Sequence, residues 1–310
     1  MPKIARLTGV LAPVLTPFST DGAPCAERFV RHCKLLLAQD VGLAVFGTNS
    51  EANSMTVREK RALLDALADA DVATARMMPG TGACAARDAI ELTRHAISLG
   101  CPAVLMLPPF YYKGVSDEGL FRFYAQIIDE VADDRLRIYL YHIPPVANVG
   151  ISLDLIERLL KAFPQTIAGI KDSSGEWANT QAMLERFQPR GFDVFAGSET
   201  LLLPTLRAGG AGCITATGNV NAKAIVQLAA TWRNSDADDQ QGALNATRTI
   251  FAAFPMIPAM KAAIAWQSGD DNWVNVRAPL VELNREQRTR LEKALSEAHF
   301  SMADAHSLAV

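Results

Sequence analysis

Short apolar runs alternate with longer amphipathic stretches over the first two-thirds of the chain. The apolar runs fall at Gly9–Thr16, Val41–Gly47, Ala75–Gly80, Ala103–Pro108, Arg137–Ile143, Thr166–Lys171, Phe192–Gly197 and Ala211–Ala216. Each is strand-length and bounded by Gly, Pro or polar residues, which predicts a buried parallel strand rather than a half-exposed one. Helical periodicity fills the intervals, for example over Thr56–Ala70, Ala86–Leu99, Glu118–Ala132, Leu153–Phe163, Trp177–Phe187 and Glu199–Ala208. Eight such β units alternating with α units within about 250 residues predict a (β/α)8 TIM barrel. A doubly wound sheet would also alternate. It usually carries a glycine-rich phosphate turn after its first strand, and here that strand runs into Thr16-Pro17-Phe18-Ser19.

After Asn219 the pattern becomes helical only, reaching about Ala298, with breaks at Pro255 and Pro258 and a charged terminal helix over Glu286–Ala298. The expected organisation is therefore a barrel over residues 1–220 and a C-terminal helical appendage, residues 221–310, packed on it. Phe300–Val310 has weak patterning and is expected to fray or to lie on a neighbour.

Composition narrows the function classes. The chain has 310 residues, 49% hydrophobic and 20% charged, with net charge −3. That is ample for a large core and carries no basic run for a nucleic-acid partner. No apolar run approaches the length of about 20 residues that spans a bilayer. The stretch Met1–Leu7 lacks the apolar core and cleavage site of an export signal, so a cytoplasmic protein is expected. The five cysteines, Cys25, Cys33, Cys84, Cys101 and Cys213, are scattered, with no CxxC and no Cys/His cluster of metal-ligand spacing. They are expected to be reduced thiols, with Cys213 packing near a strand end, and no metal site is expected. Of the histidines, only His142 falls near the candidate chemistry.

That chemistry centres on Lys171, at the end of the run Thr166-Ile167-Ala168-Gly169-Ile170-Lys171 and followed by Asp172-Ser173-Ser174-Gly175. A lysine there loses hydration unless it is paired or its pKa falls, and an amine of lowered pKa is the nucleophile that forms a Schiff base with a carbonyl. A snorkelling or salt-bridged lysine explains the segment equally well. In a barrel the strand C-termini converge on one mouth, which would make Tyr141, in Tyr139-Leu140-Tyr141-His142-Ile143-Pro144, a neighbour of Lys171. A phenol beside an imine-forming amine can carry the protons that carbinolamine formation, dehydration and C–C cleavage each require. Thr48, in Gly47-Thr48-Asn49-Ser50-Glu51, offers a hydroxyl to extend that relay. Each has a structural alternative: Thr48 as a helix N-cap, Tyr141 as a core aromatic. Asp172 should face the helix layer by strand alternation, and Glu51 should serve loop hydrogen bonding.

GTNSE, PFYYKG, YHIPP, GIKDSSG and FAGSE, in this order and register, make the chain resemble the dihydrodipicolinate synthase/N-acetylneuraminate lyase family of pyruvate-dependent class I aldolases, from roughly Leu7 to Leu295. The resemblance implies a lyase in which Lys171 forms a Schiff base with pyruvate or another 2-oxo acid and a C–C bond to an aldehyde is made or broken. It implies no cofactor and no metal. Tyr141 would be the proton carrier, and Thr48 and Asn49 would hold the substrate carboxylate. Gly197 and Ile214 would present main chain to the substrate, and Ser198 and Glu199 are the candidates for substrate hydroxyls. Tyr112 matches a tyrosine that enters a neighbouring subunit's site, which implies a homo-oligomer, a tetramer or a dimer. Interface packing is the other use for Phe110-Tyr111-Tyr112.

Two departures bear on the substrate. Ser50 stands where the family usually has glycine. On an ungapped reading from Tyr141, Val146 stands where authentic dihydrodipicolinate synthases have the arginine that grips the semialdehyde carboxylate, with Asn148 in place of a glycine two residues on. Losing that charged pair costs about 2–4 kcal/mol of binding. The readings left open are a true 4-hydroxy-tetrahydrodipicolinate synthase gripped from elsewhere, a 4-hydroxy-2-oxoglutarate aldolase-like enzyme, a sugar-acid dehydratase, and an inactive 2-oxo-acid-binding member.

Overall fold

The computed structural model describes residues 6–310, so most of the N-terminal stretch examined for an export signal lies outside the described residues. The chain divides into two compact units. Among the described residues, one is Ala73–Ile214 with Arg6–Gly9, the other Val10–Val72 with Thr215–Val310.

A short parallel pair, β1 (Gly9–Ala12) with β2 (Gly42–Leu43), lies in the second unit from Val10 onward, with Leu11 opposite Gly42. The core of this unit gathers around the helix Met256–Ser268, buried without interruption from Pro258 to Ala265. A helix apolar on every side belongs inside a protein. Leu15, Val220, Phe251, Trp273, Leu291 and Leu295 close around it. The tail joins this core instead of fraying. Met302, Ala305 and Leu308 are buried, and Trp273 Nε1 donates to the Leu308 carbonyl.

The first unit carries five parallel strands in sequential order: β3 (Val104–Met106), β4 (Ile138–His142), β5 (Ile167–Asp172), β6 (Asp193–Ala196) and β7 (Gly212–Ile214). β4 and β5 are buried along their whole length, as continuous apolar runs predict. The connecting helices start at side-chain caps. Ser116 accepts from Gly119 N ahead of Asp117–Val131, and Ser152 accepts from Leu155 N ahead of Leu153–Ala162. Both bury an i, i+4 stripe, such as Leu120, Tyr124, Ile127 and Val131.

The described residues thus hold seven strands, not eight. Of the expected run Ala75–Gly80, the start is a 3₁₀ turn (Thr74–Arg76), and the rest forms no continuous strand, only single bridge residues at Met77 and Gly80, the latter parallel to Leu105. Pro79 lacks an N–H and contributes its carbonyl alone, accepting from Leu105 N at 2.9 Å. Among the described residues no single helix is long and apolar enough to cross a membrane.

Candidate active site

β4 and β5 pair in a register that sets Tyr141 opposite Lys171 and His142 opposite Asp172. Side chains alternate along a strand, so the first pair shares one face and the second the other. Lys171 and Tyr141 are each 2% exposed, and Lys171 Nζ donates to Tyr141 Oη at 3.1 Å and lies 4.2 Å from the ring centroid. The amine is out of water, and its recorded partner is a group able to take and return a proton.

The opposite face is structural. Asp172 accepts from Thr180 Oγ1 at 2.6 Å, from Asn179 Nδ2 at 3.1 Å and from Ser174 N at 2.9 Å, tying the end of β5 to the helix Trp177–Phe187. His142 Nδ1 accepts from Ile151 N at 2.9 Å, and burial pushes its pKa down against the pull of Asp172. A neutral imidazole suits that acceptor role. His142 therefore braces the loop after β4.

Beyond β6, Gly197 N donates to the Asp172 carbonyl at 2.6 Å, so its amide is committed to the chain beside it. A Cβ at Gly197 would stand 2.1 Å from Ser173 Oγ and 2.7 Å from the Asp172 carbonyl oxygen. Only glycine allows this approach. Ser198 caps the 3₁₀ turn Glu199–Leu201, its Oγ accepting from Thr200 N at 3.3 Å, and Glu199 is 1% exposed. Ile214 ends β7 fully buried. The neighbouring Cys213 thiol is pushed up by burial and by Glu199, with Lys171 opposing, as suits a packing thiol rather than a nucleophile.

The loop bearing Tyr112 is exposed, in contrast to this buried pair. Tyr111 and Tyr112 are 74% and 73% exposed, their rings packed edge to face. Lys113, which the sequence reading passed over, holds the loop in place: its Nζ donates to the Ala147 carbonyl at 2.8 Å and to that of Phe110. Ala147 closes the short helix Pro144–Ala147, whose Val146 is 61% exposed. Asn148, at φ 51°, takes the left-handed conformation that glycine would otherwise serve.

In the other unit, Thr48, Asn49 and Ser50 form a 3₁₀ turn after Gly47. Thr48 is not a helix N-cap; that role falls to Thr56, ahead of Val57–Asp69. Ser50 replaces glycine without strain, since the left-handed residues are its neighbours Phe46 and Glu51. Its Oγ accepts from Gly47 N at 3.1 Å, a bond glycine could not supply. Glu51 does more than hydrogen-bond its loop. Its carboxylate accepts from Lys261 Nζ at 2.5 Å and from Arg277 N at 2.8 Å, and both charged side chains of the ion pair have zero exposure. Burial lowers the Lys261 pKa to about 8 against the pull of Glu51. The signal for Lys261 was present: it is the lone charge in the apolar run Met256–Ala265.

Parallel strands joined by helices, with an amine and a phenol held together where two of those strands end, define an α/β protein of the TIM-barrel kind. More particularly, the chain belongs to the Dihydrodipicolinate synthetase family, whose sequence model matches residues 6–298. It is 32% identical to an uncharacterized DapA-like lyase of Chloroflexus aurantiacus, over 94% of this chain and 97% of that one. It is 28% identical to the putative 2-dehydro-3-deoxy-D-gluconate aldolase YagE of Escherichia coli, over 96% and 99%. The crystal structure of YagE in complex with pyruvate superposes with a TM-score of 0.87, covering 96% of this chain and all of that one. Dihydrodipicolinate synthase of Agrobacterium tumefaciens superposes at 0.86 with 30% identity, over 94% and 99%. The family is one of lyases and aldolases, and the chain is a lyase by membership.

Proposed function

We propose that this lyase forms a Schiff base between Lys171 and pyruvate, or a 2-oxo acid that yields pyruvate, and makes or breaks a C–C bond to an aldehyde. The contact between Lys171 Nζ and Tyr141 Oη in a dry strand-end setting carries the proposal. The neutral amine adds to the substrate C2 carbonyl, giving a carbinolamine. Tyr141 returns a proton to its hydroxyl, which leaves as water, and the iminium remains. The iminium withdraws electrons from C3. Loss of a C3 proton gives the enamine that attacks an aldehyde, and the reverse sequence cleaves a 4-hydroxy-2-oxo acid. Hydrolysis of the imine then frees Lys171.

In this reading Thr48 and Asn49 hold the substrate carboxylate, and the main chain at Gly197 and Ile214, with Ser198, lines the substrate's path. Tyr112 serves the site of a second copy. The enzyme is a cytoplasmic homo-oligomer without cofactor or metal, its residues 1–220 a barrel of the TIM type and 221–310 its helical appendage. Val146 offers no charge to a second carboxylate, so an aldehyde without one is favoured over the semialdehyde of a true dihydrodipicolinate synthase.

Borohydride trapping with pyruvate, followed by peptide mapping, tests this directly. A reduced pyruvate adduct on Lys171 is expected. The absence of any 2-oxo-acid adduct, or an adduct on Lys261 instead, would overturn the mechanism.

A further inference from the structure

Several features of the turn Gly47–Glu51 converge on one residue outside it. Glu51 holds φ 56°, a left-handed conformation that is unfavourable for a non-glycine residue and persists only where surrounding contacts enforce it. The enforcing contacts are ionic. One carboxylate oxygen accepts from Lys261 Nζ at 2.5 Å and the other from Arg277 N at 2.8 Å. Lys261 Nζ also donates to the Asn275 carbonyl at 2.7 Å and lies 4.5 Å from the centroid of the Phe18 ring. Arg277 continues the clamp: its guanidinium donates to the carbonyls of Gly22 and Ser54 and pairs with Glu59. Glu51 N in turn donates to the Thr48 carbonyl at 3.1 Å. The carboxylate that anchors the turn therefore sits at the end of the short bonded loop that carries Thr48 and Asn49.

A fully buried ion pair is a poor device for stability alone, because desolvating both charges offsets most of their attraction and apolar residues of similar size serve as well. Its distinguishing property is directional: it fixes where a carboxylate can sit. The bonds from Gly47 N to Ser50 Oγ and from Thr16 Oγ1 to the Ser50 carbonyl are, by contrast, uncharged hydrogen bonds.

We propose that Lys261 is a positioning residue, which through its ion pair with Glu51 holds the Thr48–Asn49 turn in the geometry that receives the substrate's carboxylate. The carboxylate-binding part of this inference rests on the function proposed above. Lys261 touches no substrate and acts through Glu51. Two consequences separate this role from plain support of the fold. Weakening the pair raises the concentration of 2-oxo acid needed to form the imine more than it lowers the amount formed at saturation. It also loosens residues 47–51 selectively.

The experiment compares the full-length wild type with Lys261→Met and Glu51→Gln. Two measurements are made: borohydride trapping as a function of pyruvate concentration, and amide hydrogen exchange with thermal melting. The half-saturating pyruvate concentration is expected to rise about tenfold or more in each variant, with Lys171 still trapped at saturation. Exchange is expected to speed up over 47–51 before it does elsewhere in the same unit. Lys261→Arg, which keeps the charge, is expected to recover part of both effects. A folded Lys261→Met with unchanged half-saturation and unchanged exchange over 47–51 would overturn the inference while leaving the Schiff-base reading intact. If the wild type traps no 2-oxo acid, the functional reading fails on its own. The exchange measurement then decides the turn-positioning claim, with uniform protection across variants refuting it. If Lys261→Met does not fold, the near-isosteric Glu51→Gln carries the same two readouts.

Discussion

Lys171 and Tyr141 are the residues on which the chemistry stands, and their roles separate by substitution. Lys171→Ala removes the amine that donates to Tyr141 Oη, so no pyruvate adduct should form under borohydride and turnover should vanish. Tyr141→Phe keeps the amine in its dry setting. It should still trap pyruvate at saturation while steady-state turnover falls by about 10²–10⁴-fold, the range expected for a lost proton carrier. A Tyr141→Phe enzyme with wild-type turnover would assign the protons to another group. A different residue governs acid stability. His32 is fully buried, its Nε2 is 3.0 Å from Asn219 Oδ1, and burial lowers its pKa to about 4. Asn219 Oδ1 also accepts from Leu15 N, so Nε2 carries the proton and donates. Because the native pKa lies below the unfolded value near 6.5, the contribution is complete above about pH 6.5 and is lost as the pH falls toward 4. By about pH 4.5 this one group should cost about 2–3 kcal/mol, read in urea melts as a steeper acid loss in wild type than in His32→Gln.

At the scale of elements, the strand ends and helix starts are set by single polar groups, and each can be tested singly. Thr56 and Glu59 form a reciprocal cap: Thr56 Oγ1 accepts from Glu59 N at 3.2 Å, and Glu59 Oε2 accepts from Thr56 N at 2.8 Å. Thr56→Ala should lower stability by about 1 kcal/mol in denaturant melts, with little effect on trapping at Lys171. Gly197→Ala should do both kinds of damage. Its Cβ meets main chain at the end of β5, so a loss of about 1–3 kcal/mol should accompany poorer trapping as the strand end shifts. These elements also show why some of the structure was legible in the sequence. Helices such as Trp177–Phe187 and Ala86–Ser98 fall on or within a residue of their periodic stretches, because an amphipathic stripe is a local property. The pairing of Tyr141 with Lys171 was legible too, since consecutive parallel strands put successive strand ends side by side. The run Ala75–Gly80 misled because apolar composition does not report that Pro79 has no N–H to give. The tail misled because Met302, Ala305 and Leu308 follow no regular period and are buried by tertiary contact. Lys261 escaped because its partner Glu51 lies 210 positions away in the chain.

For the whole molecule, the role proposed for the exposed Tyr111–Tyr112 loop is the one that calls for a second copy. Two aromatic rings at 74% and 73% exposure, with Val146 at 61%, lie at segments that Lys113 ties together through Phe110 and Ala147. A loop so fixed, with its aromatic rings facing outward, suits insertion into a second copy, where rigid rings give contact area at little entropic cost. Intersubunit complementation tests the role proposed for Tyr112. Lys171→Ala supplies an intact Tyr112 but no nucleophile, and Tyr112→Phe supplies the nucleophile but a defective loop. Each alone should be impaired, the first completely. When the two are mixed, dissociated and reassembled, a mixed pair contains one site with both Lys171 and a donated Tyr112. Statistical reassortment into dimers should then restore about a quarter of the wild-type sites, above the residual rate of Tyr112→Phe. If Tyr112 worked within its own chain, each mixed pair would hold only two defective sites. The mixture would then show no more than the average of its parents. Sedimentation of the mixture on the same day guards against the remaining ambiguity, since a monomer in solution would remove the proposed donor altogether.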